Sequence, residues 1–150
     1  MTHKRRGTLT AASLVLALSF ACSDDGRQVE VPRNVRPDLM QLTVAGQATI
    51  FDENGTIVEG EPIVIDLGAT VPVTAVFLED DGEVVSPDPA DYELRGTNTT
   101  ASIVMFTRAG SFDGTLAGVS PGTGIVRFEL YHTEEQHADW GPRNIPITVQ

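Results

Sequence analysis

The segment YHTEEQHADWGPRNIPITV, Tyr131 to Val149, gathers two of the three histidines, the only tryptophan, one of the two tyrosines and three carboxylates. His132, Glu134, Glu135, His137 and Asp139 offer imidazole and carboxylate donors, a set that suits zinc, copper, nickel or iron. If the segment is extended, Glu135, His137 and Asp139 share a face; if it coils into one helical turn, Glu134 and His137 do. Neither geometry brings all five to one ion. A metal here would take His132 and His137 as ligands with Glu135 or Asp139 completing the set. Because imidazole must be neutral to ligate, such binding weakens as pH falls through about 6.5. The competing reading is a polar β-hairpin tip with no ligand, since hairpin tips are commonly polar and no Cys or HExxH helix sharpens the match. Tyr131 and Trp140, if exposed, would contact a carbohydrate or a protein partner. A tryptophan beside Gly141-Pro142 equally suits packing over the end of a sheet.

Other chemistry is poorly supplied. His132 and His137 are the only histidines beyond the N-terminal segment, so a general base for nucleophilic catalysis is scarce and no enzyme is expected. The segment IFDENGTIVEGE spaces Asp52, Asn54, Gly55 and Glu61 like ligands of a calcium loop. Ile50 stands where the first ligand should be and the flanks are strand-like, which favours a hairpin turn.

The elements that must position these residues are strands. From residue 38 onward, short apolar runs alternate with turn signals every 8–12 residues or so, and no amphipathic helical period appears. Asn54-Gly55 between TIF and TIV predicts a two-residue hairpin, and Asp81-Gly82 predicts another turn. In TVPVTAVFLE, Val71, Val73, Ala75 and Phe77 alternate with Thr70, Thr74 and Leu78. Phe77, Val104, Phe106, Val126, Phe128 and Leu130 are the expected core. The fold class is all-β, an antiparallel sandwich over residues 38–150.

The stretch SFDGTLAGVSPGTGIVRFEL, Ser111 to Leu130, resembles the hallmark of bacterial Ig-like group 2 domains, a short strand and a G-V-S-x-G-T turn leading into a long alternating strand. LTVAG and GATVPVTAVFLEDDGEVV are similar to that family's first strands. The tryptophan usual before its central segment is replaced here by DYELRG. The resemblance implies an Ig-like sandwich used for binding, adhesion or spacing in a cell envelope, without catalysis.

At the N-terminus, Lys4, Arg5 and Arg6 precede the apolar run LTAASLVLALSFA, too short to span a bilayer as a helix but suited to an export signal. Cys22, the only cysteine, follows directly. LSFAC resembles a bacterial lipoprotein signal, with Ser19 where that class prefers leucine. The resemblance implies residues 1–21 as signal peptide, lipidation at Cys22, and a membrane partner reached through the lipid anchor. By analogy with lipoprotein sorting, Ser23 implies the outer membrane, facing the periplasm or the cell exterior. Residues 22–37, rich in charge and proline, are expected to be a flexible tether. All 21 acidic residues but only seven of the ten basic ones follow Cys22, so the exported chain carries a net charge of −14. Such a body repels nucleic acid and anionic lipid headgroups. An envelope protein or a carbohydrate remains as the expected second partner.

Overall fold

The computed structural model describes residues 35–150. Expectations for the signal peptide, for Cys22 and for tether residues 22–34 lie outside the described residues. Val35 packs against the core, its amide donates to the Tyr92 hydroxyl at 3.3 Å, and Pro37 is buried. Packing therefore reaches back a few residues before Asp38.

The described residues hold eleven strands and no helix. β1 (Leu39–Val44), β2 (Gln47–Phe51), β3 (Ile57–Gly60), β5 (Thr70–Leu78), β6 (Val84–Val85), β8 (Val104–Arg108) and β9 (Asp113–Gly118) form one sheet. Its order is β3-β2-β1-β5-β9-β8, with β6 paired to β5. β4 (Ile63–Ile65), β7 (Tyr92–Asn98), β10 (Gly122–His132) and β11 (His137–Val149) form the other, in the order β4-β11-β10-β7. All pairings are antiparallel except β4 with β11. The two sheets pack as a sandwich.

Period-2 alternation produces that packing, because successive side chains of a strand point to opposite faces. β1 alternates without a break, burying Met40, Leu42 and Val44. β10 buries Gly124, Val126, Phe128, Leu130 and His132 in one unbroken series. The six expected core residues are all buried, the most exposed of them, Phe106, at only 5%. Phe106 meets Phe128 edge-to-face at 5.0 Å between ring centroids, joining one sheet to the other. Room for the Phe106 ring exists because its neighbour on β9 is Gly114, where an added Cβ would lie 2.6 Å from Phe106 Cε2.

The β2–β3 hairpin differs from its sequence expectation. Asn54-Gly55 does not form a two-residue loop. Asp52 N–H donates to Thr56 O and Gly55 N–H to Asp52 O, both at 2.9 Å, leaving three residues in the loop with Gly55 at φ 78°. Glycine suits that left-handed position, as in a type I turn closed by a bulge. The Asp52 carboxylate is consumed locally, accepting the amides of Asn54 and Thr56 at 2.8 Å each. The Glu79–Glu83 turn repeats the arrangement, with Gly82 at φ 85° and Asp81 accepting from the Glu83 amide.

The Thr56 amide, first among several donors, holds the Asp52 carboxyl below the ordinary aspartate value near 3.8. A depressed folded-state pKa contributes stability that is present above the unfolded value and lost as pH falls through the folded one. Asp52→Asn keeps an acceptor and removes the charge. Urea midpoints of wild type and variant are expected to differ at pH 7 and to converge as pH falls below the folded-state value; a gap that persists undiminished into strong acid would assign the turn's stability to the neutral hydrogen bonds.

Candidate functional site

The site lies where β7, β10 and β11 end together. His132, the last residue of β10, stands opposite Tyr92 of β7 and opposite His137 of β11. Directly paired residues on adjacent strands project from the same face, so three rings line up across the sheet. Tyr92 stacks on His132 with centroids 4.5 Å apart and planes 15° apart, and His132 meets His137 edge-on at 5.7 Å. Thr133 to Gln136 turn the chain back, with Gln136 N–H bonded to His132 O at 2.9 Å and Gln136 at φ 56°. Thr133 fastens the turn to the start of β7, its amide and hydroxyl both donating to Asp91 O, at 2.7 and 2.9 Å.

Two irregularities in the β10–β11 ladder shape the donor cluster. Phe128 pairs Arg143 and Leu130 pairs Trp140, then Tyr131 pairs Ala138, so β11 takes one extra residue at each step. Bulges of this kind re-aim side chains. Around the second, both Trp140 and the Asp139 side chain are buried, the latter 2% exposed. Asp139 Oδ1 lies 2.7 Å from His137 Nε2. Glu135 Oε2 reaches in from the turn, 3.6 Å from both His132 Nδ1 and His137 Nε2. One donor atom from each of His132, Glu135 and His137 lies within 4.8 Å of the other two.

Burial divides the cluster. His132 is 5% exposed, while His137 and Glu135 face solvent. His132 Nδ1 and Asp139 Oδ2 are both buried without a hydrogen-bond partner. Leaving such a group unpaired costs about 1–3 kcal/mol. Burial pushes the Tyr92 phenol above its ordinary value, against the opposing effect of the Val35 amide, and Asp139 and Glu135 add to the rise.

The structure thus brings donor atoms of His132, Glu135 and His137 together, holds Asp139 against His137 alone, and leaves Glu134 out. Glu135 does not share an extended face with His137; it comes from the turn. Tyr92 is a member that sequence reasoning misses. Its only signal is the register of β7 on β10, which no local pattern in DYELRG announces.

The Trp140 expectation needs correction. Trp140 is 3% exposed, packs edge-on against Phe77 at 6.3 Å, and donates its indole N–H to Asp38 O at 3.3 Å. A side chain so enclosed offers no partner-contact face. Tyr131 is half-buried, with the Arg95 guanidinium 3.2 Å over its ring. Arg95 in turn bonds Glu93 at 2.6 Å, and Glu93 also pairs with Arg108. These charges line an open cleft of ≈ 280 Å³ beside Phe106 and are satisfied among themselves.

Asp38, Glu79, Asp80 and Asp81 lie at the same end of the sandwich, tied by the Trp140–Asp38 contact and by the Asp80 amide on Asp38 Oδ2 at 3.2 Å. The EDDGE turn is therefore close but contributes no atom to the donor group around His132. Desolvation, and then the Asp38 charge, raise the Glu79 carboxyl above its ordinary value, a mark of crowded negative charge. No protein-family model matches the chain, and no curated protein matches it.

Proposed function

We propose that this is an exported, lipid-anchored, non-catalytic β-sandwich that presents the hairpin end of its β7-β10-β11 sheet as a ligand site in the cell envelope. One observation carries the ligand site: a buried histidine with an unpaired ring nitrogen at the rim of the core. A plain spacer has no need of it.

The Ig-like reading draws support from strand order. β1-β5-β9-β8 facing β11-β10-β7 corresponds to the ABED and GFC sheets of that fold, with the β2–β3 hairpin and the parallel β4 as additions. In such sandwiches, binding loops cluster at the ends of the sheets, where the His132 cluster sits.

The anchor rests on the basic–apolar–small–Cys order at the N-terminus and on Cys22 being the only thiol. Cys22→Ala is expected to move the protein from the membrane pellet to the soluble fraction of the cell envelope. Equal membrane partition of wild type and variant would remove the lipid anchor from the proposal.

A further inference from the structure

We propose that the hairpin end binds one divalent first-row transition ion, zinc foremost, through His132 Nδ1, His137 Nε2 and Glu135 Oε2, with Asp139, whose Oδ1 sits against His137, moving in as the fourth donor. This rests on reading that end as a ligand site and gives the ligand a chemical class.

Four features of the donor set argue for it. Spacing comes first: in tetrahedral zinc sites with bonds near 2.0–2.2 Å, donors stand about 3.3 Å apart. Glu135 Oε2 is 3.6 Å from each imidazole nitrogen, close to that value. The 2.7 Å His137–Asp139 contact must open, and that is what an ion does on replacing the shared proton between them.

Charge is the second feature. Two neutral imidazoles and two carboxylates sum to −2, the complement of a divalent ion. The buried Asp139 side chain, one oxygen unpartnered, otherwise has only His137 as a counter-group.

Donor type narrows the metal. Half the set is imidazole, which suits zinc, copper, nickel and iron and disfavours calcium and magnesium, both of which prefer all-oxygen cages.

Preorganisation is the last. Tyr92 stacks flat on His132 and fixes its ring plane, Thr133 pins the turn to Asp91, and the acidic residues Asp38, Glu79, Asp80 and Asp81 at the same end raise the local cation concentration. Glu134, one residue from Glu135, is outside the set and serves as its internal control.

The test is calorimetric titration of the full mature chain in detergent with zinc chloride, and separately with calcium chloride, at pH 7.5. One zinc per chain at micromolar Kd or tighter is expected, with no calcium binding. His137→Ala should weaken zinc at least 100-fold, and Glu135→Gln about tenfold. Glu134→Gln should leave it unchanged. His137 and Glu135 are exposed, so these variants test the site even if the buried His132→Ala chain fails to fold. Cobalt(II) in place of zinc should give the intense visible bands of a tetrahedral site. Zinc binding no tighter than millimolar, binding indifferent to His137→Ala, equal uptake of calcium, or the weak absorption of octahedral cobalt each overturns the proposal. Membrane partition of Cys22→Ala does not depend on metal, so loss of the metal site and loss of the anchored-module reading are separately visible.

Discussion

Replacing Phe128 by Ala is expected to remove about 3–5 kcal/mol of folding stability, the usual cost of emptying a buried aromatic site. Phe128 is fully buried in β10, the strand that pairs with both β7 and β11. Its ring partner, Phe106, comes from the opposite sheet, so the vacancy would open between the layers. Phe106 leans on glycines at 96 and 114, and those backbones cannot advance to fill the space without breaking their ladders. A domain of this size has about 5–15 kcal/mol in total. The loss should lower the melting temperature by roughly 10–30 °C. Thermal and urea unfolding followed by circular dichroism measures it. Val58→Ala, on an exposed position of β3, should stay within about 0.5 kcal/mol of wild type. A Phe128→Ala loss below about 1.5 kcal/mol, well under the usual range for such a site, would mean that the sheets collapse together more readily than this packing implies.

Phe128 is legible as a core residue because the information is local. Val126, Phe128 and Leu130 alternate with polar or exposed neighbours, and each of the three is buried. The same holds for Val73, Ala75 and Phe77 of β5, whose alternation fails only where Leu78 is buried as well. Turns are legible by position but not by type. Asn54-Gly55 marks a reversal, yet whether the loop holds two residues or three depends on how Asp52 and Thr56 pair, and the Asp52 carboxylate decides that by capping both Asn54 and Thr56. Local pattern starts the long last strand after Gly141-Pro142, at NIPITVQ. The strand begins instead at His137 and runs through the pair, because a bulge absorbs glycine and proline without ending the ladder.

The site is half legible for a related reason. Histidines five residues apart, with carboxylates between them, announce a polar tip, and three of these side chains, His132, Glu135 and His137, place donor atoms within 4.8 Å of one another. What spacing cannot supply is depth. His132 is buried and His137 exposed although they are cross-strand partners on one face, a difference that residue type and spacing do not carry. Tyr92 lies 40 positions from His132 in sequence, and only the β7–β10 register brings the rings together. Trp140 shows the converse. Its residue type and setting suit a contact surface, but the Asp38 carbonyl gives its N–H a partner and Phe77 gives its ring one, so burial wins.

The bulge can be tested without touching a donor atom. Gly141 has φ 85°, a conformation that costs any residue with a Cβ about 1–2 kcal/mol. A Cβ there would also lie 2.6 Å from Phe128 O and 3.0 Å from Glu129 Cα, backbone atoms of β10 that cannot yield without parting the two strands. Gly141→Ala is therefore expected to cost about 2–4 kcal/mol in all, the excess over the backbone term coming from overpacking. Gly46→Ala separates the two contributions, since Gly46 has φ 87° and open space around its would-be Cβ. It should lose only the backbone share. Because the part of β11 that precedes Gly141 holds Asp139 beside His137 and His137 opposite His132, a shift of β11 against β10 should also weaken zinc binding by about tenfold at a temperature where the variant is still folded, a change worth about 1.4 kcal/mol. Equal losses of stability in the two glycine variants would place Gly141 among ordinary left-handed turns. Unchanged zinc affinity in a destabilised Gly141→Ala chain would show that the Thr133–Gln136 turn, pinned to β7 at Asp91, sets the donor geometry without the bulge.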